Sequence, residues 1–449
     1  MTKNIIISDA NHGGLTLLHE YSKYTNNNLF FYDVYNKLTN AEKKDINKKY
    51  NVTFLSLDYI KENRDKFTII SPIHMKPVFE SDYTHHEFTS YLINKHRTRY
   101  NWNFKIIEVT GVKGKTTTVS MIKDVLKNKN LLVLNSNNLS YISNGKTKTL
   151  IKHLSITPAS IITALNKANN EKILDKIDYC IFEVSLGVTP NADIGILTNI
   201  LENYSIADKT KNAHIAKKTV FQSKKIICDK IAYDTYYSDV KKDIITISLN
   251  DQKADVYLEK IQYNLEKTRF TVNYYGNKLN FSCFGLSDFY INNLMFAITV
   301  GLLINDSNET SHNLKNIKPI NGRGSYKYKS NKLIIEDINP GLNTTAIKEC
   351  ISNIKRYSNN YILIIGGDYG ITCEEIDEKI LIEFIKTLNE DIIFSGAVGH
   401  NLYKQVDNKN YEYIHDINKA LNYCLNKNVE IIEILYRSEY NQEINLYNK

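Results

Sequence analysis

None of the six cysteines, Cys180, Cys228, Cys283, Cys350, Cys373 and Cys424, forms a C-x-x-C pair. Thiols scattered in this way fit a reducing cytoplasm and argue against a zinc or iron–sulfur site. The chain also lacks a membrane-length apolar run. The longest, residues 294–304, falls well short of the roughly 20 residues needed to cross a bilayer and reads as a buried helix. The N-terminus leads directly into an apolar strand at 5–7, without a signal-peptide core. The dinucleotide signature G-x-G-x-x-G is missing too, although Asp9-Ala-Asn-His-Gly-Gly14 follows the first strand and Asp33 ends the second. Finally, there is no block of one charge sign. The net charge is +8, but lysine pairs such as Lys43-Lys44 and Lys217-Lys218 alternate with acids, and Asn, Ile and Tyr are abundant alongside lysine. The excess is compositional and gives no nucleic-acid stripe, while a mildly positive surface favours anionic substrates such as ATP and polycarboxylates.

What the chain does have is a phosphate cradle, Glu108-Val-Thr-Gly-Val-Lys-Gly-Lys-Thr-Thr-Thr118. Residues 104–109 read as a buried strand, and Val119, Ile122, Val125 and Leu126 recur at helical spacing behind the turn, which places the loop at a helix N-terminus. Gly111 and Gly114 let the backbone N–H groups of Thr110 to Thr117, including Val112 and Lys113, approach a triphosphate. Lys115 supplies a point charge for the β- and γ-oxygens, and Thr116 can ligate Mg2+. The bland alternative is an ordinary strand-to-helix turn that contains Gly-Lys-Thr by chance; the strand, loop and helix context disfavours it.

At 449 residues the chain can form about three domains, each with its own core. Residues 1–97 alternate strand signals (5–7, 29–32, 52–55, 67–71) with helical stretches, as in a small Rossmann-like α/β domain. Residues 98–305 carry the ATP loop and, over 254–281, a β-rich alternation around a turn at Tyr275-Gly-Asn-Lys278. The polar stretch 305–316 predicts a linker. In 306–449, strands at 333–335, 361–365, 391–394 and 429–435 alternate with helices, one of them with Ile376, Ile380, Phe384 and Leu388 on one face; this pattern predicts a parallel sheet.

The loop also carries a resemblance. A standard phosphate loop has four residues between its glycines, whereas Gly111-Val-Lys-Gly114 has two. This resembles the T-G-x-x-G-K-T-T of the Mur ligase superfamily, which includes the bacterial cell-wall peptide ligases and folylpolyglutamate synthase. Other landmarks follow in that family's order. Glu183-Val-Ser185 resembles its E-V-S, whose glutamate holds magnesium. Thr198-Asn-Ile200 resembles its T-N-I strand, which implies a nucleotide contact at Asn199. Ala216-Lys217 resembles an A-K pair whose lysine is carbamylated in many members. Gly322-Arg323 resembles a G-R that reaches the nucleotide from the third domain, Asp337 stands where the family has the aspartate of D-Y-A-H-N-P, and Ile364-Ile-Gly-Gly-Asp368 resembles its L-G-G strand end. The resemblance implies a three-domain α/β architecture, with a Rossmann-like N-terminal domain, a central P-loop ATPase domain and a Rossmann-like C-terminal domain. It also implies an ADP-forming ligase in which Thr116 and Glu183 hold magnesium, Lys115 stabilises the transferred phosphoryl group, and Arg323 and Asp337 bind ATP. Lys217 is either a carbamate assisting a second metal or a solvated lysine.

Where peptide-forming members have Asp-His after the T-N strand, this chain reads Glu202-Asn-Tyr204, so the histidine of the second metal site is missing. Six of the eleven histidines (His12, His19, His74, His85, His86 and His96) fall in the first domain. Asp9-Ala-Asn-His-Gly-Gly14, Asp33-Val-Tyr35, Ser71-Pro-Ile-His74, Thr84-His-His-Glu87, Ser155-Ile-Thr-Pro158 and Glu202-Asn-Tyr204 resemble a branch found in methanogenic archaea. That branch completes coenzyme F(430), the nickel tetrapyrrole of methyl-coenzyme M reductase, by activating an acid side chain of a seco precursor with ATP and closing it onto a ring carbon. The resemblance implies a nickel tetrapyrrole carboxylic acid as substrate, a cytoplasmic setting, and neither a nucleic acid nor a membrane as partner. No segment specifies an oligomeric state. His12 and His74, beside strand ends, are expected to contact the substrate, and His85 and His86 are weaker candidates; adjacent histidines on a helix point apart and are poor joint metal ligands. A histidine taken singly is more often structural. The residues alone leave open an amide-forming pseudomurein peptide ligase, a folylpolyglutamate synthase and a non-catalytic ATP-sensing module.

Overall fold

The apolar runs become strands buried on both faces, as parallel sheets require. In the computed structural model, which describes residues 3–190, 192–315, 317–371, 376–406 and 410–440, Ile6 and Ile7 of strand Asn4–Ser8 are fully buried. This strand is central to an all-parallel five-stranded sheet. Leu29–Tyr32 and Val52–Phe54 lie on one side of it, and Phe67–Ser71 and Tyr83–Thr84 on the other. The helix that follows, His85–Tyr100, begins in a capping box: Thr84 Oγ1 accepts the Glu87 N–H at 3.2 Å, and the Glu87 carboxylate accepts the Thr84 N–H at 2.7 Å.

A second sheet places the phosphate-loop strand Lys105–Thr110 between Tyr179–Glu183 and Ile194–Leu197, all parallel. Leu131–Leu134 and the antiparallel pair Asn138–Ser143 and Lys146–Lys152 extend it on one side; Lys225–Asp229 and Ile244–Ser248 extend it on the other. The β-rich segment expected over 254–281 is the strands Val256–Gln262, Thr268–Tyr274 and Asn277–Cys283, reversing at Tyr275 and Gly276, both in the left-handed region. Ile7, Leu17 and Phe31 share one core with Phe88, Leu92, Phe104, Leu165 and Phe182, so side chains from both sides of position 97 pack together.

The chain divides into two compact units. The first comprises Met1–Glu259, Val272–Leu279 and Asn293–Asn313; the second comprises Lys260–Thr271, Asn280–Asn292 and Leu314–Lys449. In the second, a six-stranded sheet runs Ser325–Lys329, Lys332–Ile338, Ile431–Arg437, Tyr361–Gly367, Asp391–Ser395, Tyr411–Tyr413. It is parallel except for Ser325–Lys329, an antiparallel edge strand.

Two local expectations need correction. The stretch 305–316 contains the division between the two units, at Asn313 and Leu314, but it is not irregular: Ser307–Leu314 is a helix whose first turn is capped by Asp306 Oδ1, accepting the Glu309 N–H at 2.8 Å. Its polar residues turn inward: Thr310 and Asn313 are fully buried, and Asn313 Nδ2 donates to Val125 O at 2.8 Å. Asn316 lies outside the described residues. The stripe of Ile376, Ile380, Phe384 and Leu388 is not a buried helical face either. The helix spans only Glu378–Ile385 and buries Leu381, Ile382 and Ile385, leaving Ile380 52% exposed. No helix among the described residues is long and apolar enough to cross a membrane.

Candidate active site

Gly114, left-handed at φ 80°, opens helix Lys115–Val125 directly after the loop. Both loop glycines are steric necessities, since a Cβ on Gly111 would collide with Thr198 Oγ1 and one on Gly114 with Asn293 Oδ1. Thr198 and Asn199 stand just past strand Ile194–Leu197 rather than within it, and they shape the loop. Asn199 Oδ1 accepts the Lys113 N–H at 3.0 Å, its Nδ2 donates to Lys113 O at 3.2 Å, and its own carbonyl accepts the Val112 N–H at 3.1 Å. Thr198 Oγ1 donates to Lys113 O at 2.6 Å. Lys115 Nζ folds back over the loop, donating to Gly111 O at 3.2 Å and Val112 O at 3.4 Å. Thr117 is buried in the helix's first turn.

Thr116 and Glu183 meet: Thr116 Oγ1 donates to Glu183 Oε1 at 3.1 Å. Ser136 completes the group, with its Oγ 3.1 Å from Thr116 Oγ1 and its N–H donating to Glu183 Oε2 at 3.0 Å. Sequence reasoning missed Ser136 because it follows strand Leu131–Leu134 without a motif. The donor set is hard oxygen throughout, which suits magnesium. Neighbouring ligands on an octahedral ion with bonds of about 2.1 Å lie roughly 3 Å apart, close to the Thr116–Glu183 spacing.

Segment 185–189 forms the next layer. The Gly187 N–H donates to Thr110 Oγ1 at 3.1 Å, which makes Thr110 an anchor for this segment. The Thr189 N–H donates to Glu108 at 2.6 Å, and the Thr189 hydroxyl also bonds that carboxyl, which burial nonetheless raises to about 7. On its other side the segment meets the helix Ala213–Lys217 and its successor, since Val188 N–H donates to Thr219 Oγ1 at 3.0 Å. Lys217 is only 1% exposed. Burial, then the charge of Lys115, lowers its pKa well below the ordinary lysine range, so the solvated alternative does not hold. Asn203, in the segment where the family's Asp-His is missing, binds the same helix: Oδ1 accepts the His214 N–H at 3.1 Å.

The four candidate histidines gather in the first unit. His12, His74, His85, His86, Ser185 and Leu186 border a cavity of about 10 Å³. His12 Nδ1 is bonded to Asp9 Oδ2, and the His12 and His74 rings stand edge-on with centroids 4.2 Å apart. Burial lowers His74 to about 4. His85 and His86 are buried and engaged with the backbone: His85 Nε2 lies 3.0 Å from Ser8 O, and His86 Nε2 lies 3.0 Å from Ser185 O. Burial lowers them to about 3 and 4, so both are neutral packing residues.

His96 belongs to the core: Nε2 lies 2.8 Å from Glu20 Oε1 and Nδ1 lies 2.9 Å from the Tyr24 hydroxyl. Burial alone would raise the Glu20 carboxyl, but hydrogen bonds from His96, Lys23 and Asn166 outweigh it and hold the group at about 2, against an ordinary 4.5. A depressed carboxylate stabilises the fold above its unfolded pKa and loses that contribution as pH falls towards the folded value. The contribution is on the order of 3 kcal/mol at neutral pH. Glu20→Gln is therefore expected to lower the urea midpoint at pH 7, with the gap to wild type closing between pH 4.5 and 2. A gap independent of pH would rule out the charge as its source.

In the second unit, Arg323 lies between Gly322 and Gly324, both left-handed. Asp337 Oδ1 accepts the Gly324 N–H at 3.0 Å and Oδ2 accepts Cys350 Sγ at 3.4 Å. Burial raises Asp337 to about 6 and Glu433 beside it well above its ordinary range. The described cysteines are all free thiols; Cys373 lies outside the described residues.

Residues 109–301 match the Mur ligase middle domain, and residues 326–439 match the domain described as "Coenzyme F430 synthetase CfbE, C-terminal domain". The coenzyme F(430) synthetase of Methanocaldococcus jannaschii is 32% identical over 428 residues, covering 92% of this chain and 96% of the relative. That of Methanosarcina acetivorans is 30% identical over 226 residues, covering 48% and 46%. Among solved structures, the MurF ligase of Thermotoga maritima in complex with ADP superposes with a TM-score of 0.58 at 15% identity, covering 97% of this chain and 94% of that one. The fold is thus the three-domain α/β architecture of Mur ligases.

Proposed function

We propose a carbon–carbon bond-forming reaction for this chain, which belongs to the coenzyme F(430) synthetase family of Mur-type ligases. It is an ATP-dependent ligase of F(430) biosynthesis. Its substrate is a seco nickel-tetrapyrrole acid, one side-chain carboxylate of which is closed onto a ring carbon to make the cyclohexanone, with release of ADP and phosphate.

A carboxylate is a poor electrophile at neutral pH. It first attacks the γ-phosphorus of ATP, and the resulting acyl phosphate gives the ring carbon a leaving group. Lys115 and the N–H groups of the loop stabilise charge on the transferring phosphoryl group. Thr116, Glu183 and Ser136 would hold magnesium, which neutralises phosphate charge when bound. Lys217, whose pKa burial lowers, is suited to react with carbon dioxide in its neutral form, and as a carbamate it would place an anion beside Lys115. In the second unit, Arg323 and Asp337 are assigned to the nucleotide. One observation supports the choice of substrate. The cavity bordered by His12 and His74 is also bordered by Ser185, two residues beyond Glu183.

With the tetrapyrrole acid and ATP alone, the enzyme is expected to release ADP and phosphate, and no added amino acid should raise the rate. Strict dependence on an amino acid, with a UDP-linked peptide as the only acceptable acid, would overturn the tetrapyrrole assignment and leave an amide ligase. ATP binding without turnover would favour a sensing module.

A further inference from the structure

The loop after the first strand holds a dyad that phosphoryl transfer does not use. Asp9 is fully buried and stands in the left-handed region at φ 71°, a conformation kept by residues with a Cβ only where the surroundings enforce it. The surroundings here are tight: Gly13 abuts Ala159 with no room for a Cβ, and Gly14 abuts the Asp9 carbonyl. Asp9 Oδ1 accepts the Asn11 N–H at 3.0 Å, and Oδ2 bonds His12 Nδ1. Burial would raise the Asp9 carboxyl, but the bonds from His12 and Asn11 outweigh it and keep the group ionised. With its proton on Nδ1, directed at the carboxylate, His12 has its Nε2 lone pair free to accept a proton. The other three histidines lack this arrangement. His85 and His86 are bonded to backbone carbonyls, and His74, packed edge-on against His12, has no carboxylate bonded to it among the described residues. The His12 side chain remains 32% exposed, on the cavity that Ser185 also borders.

Ring closure, unlike amide formation, needs a base for a C–H bond. Resting on the cyclisation reading above, we propose that His12, oriented by Asp9, is the base that deprotonates the carbon nucleophile. The electron pair of the C–H bond forms the new bond to the acyl carbon, the acyl C–O bond breaks, and phosphate departs with that pair. The proton ends on His12 Nε2, and the Asp9 carboxylate stabilises the imidazolium. His12 is thus a catalytic residue and Asp9 a positioning residue.

Single-turnover experiments with ATP and the seco acid separate the two chemical steps. In His12→Gln, ADP release and acyl phosphate trapped by hydroxylamine are expected to persist, while ring closure falls roughly 100-fold or more. Added imidazole should partly restore ring closure in His12→Gly. Asp9→Asn should show the same split with the KM for ATP unchanged, and it serves where His12→Gln does not fold. Ring closure within a few fold of wild type in a folded variant would overturn the assignment. So would an equal loss of both steps, which would make His12 a binding or structural residue. If the wild-type enzyme releases no ADP with the seco acid, the cyclisation reading itself fails and the base assignment falls with it.

Discussion

Lys115→Ala is expected to lower ATP-dependent product formation by a factor on the order of 100 or more without unfolding the protein. Lys115 Nζ donates to two carbonyls of its own loop, Gly111 O and Val112 O. Its charge is needed most as the γ-phosphoryl group transfers, when negative charge spreads over the equatorial oxygens. Initial rates at saturating ATP, with a thermal melt as control, measure the effect. Near-normal turnover in a folded variant would remove the loop from the mechanism.

Lys217→Ala is expected to be comparably inactive, falling by roughly 100-fold, and to be partly restored by formate or acetate. The two properties together distinguish chemistry from packing. Truncating a buried lysine also leaves a cavity, which costs stability, but a small carboxylate restores activity only if the missing group is an anion. Lys217→Met keeps most of the volume and none of the charge, so it should fold well and remain inactive. Full activity in either variant would make the lysine structural.

What the sequence made legible was local. The glycine–lysine–threonine loop, the strand ending at Glu183 and the alternation of strands with helices are each carried by contiguous residues whose chemistry and spacing are self-sufficient. What stayed hidden depends on contacts between distant segments. Ser136 becomes part of the phosphate site only because Leu131–Leu134 lies beside Tyr179–Glu183 in the sheet. Asn199 holds the loop because strand Ile194–Leu197 pairs with Lys105–Thr110, a geometry that a T-N-I motif does not disclose. Burial was equally invisible: Lys217 sits in a lysine-rich stretch, and the adjacency of His85 and His86 does not disclose that both are buried. The helix within 305–316 shows the same limit, because polar composition does not disclose that Thr310 and Asn313 are buried. The hairpin Asn138–Lys152 is different. Its Asn144-Gly145 turn, left-handed at both residues, is a strong local signal that went unused.

In the proposed reaction a carboxylate of the tetrapyrrole is activated by ATP and then acylates a carbon of the same molecule. Seco acid labelled with oxygen-18 in the reacting carboxyl group tests it in one reaction, read by mass spectrometry of both products. One labelled oxygen is expected in the released phosphate, with a tetrapyrrole product lighter by one labelled water. Unlabelled phosphate, or a product heavier by the mass of an added amine, would contradict it.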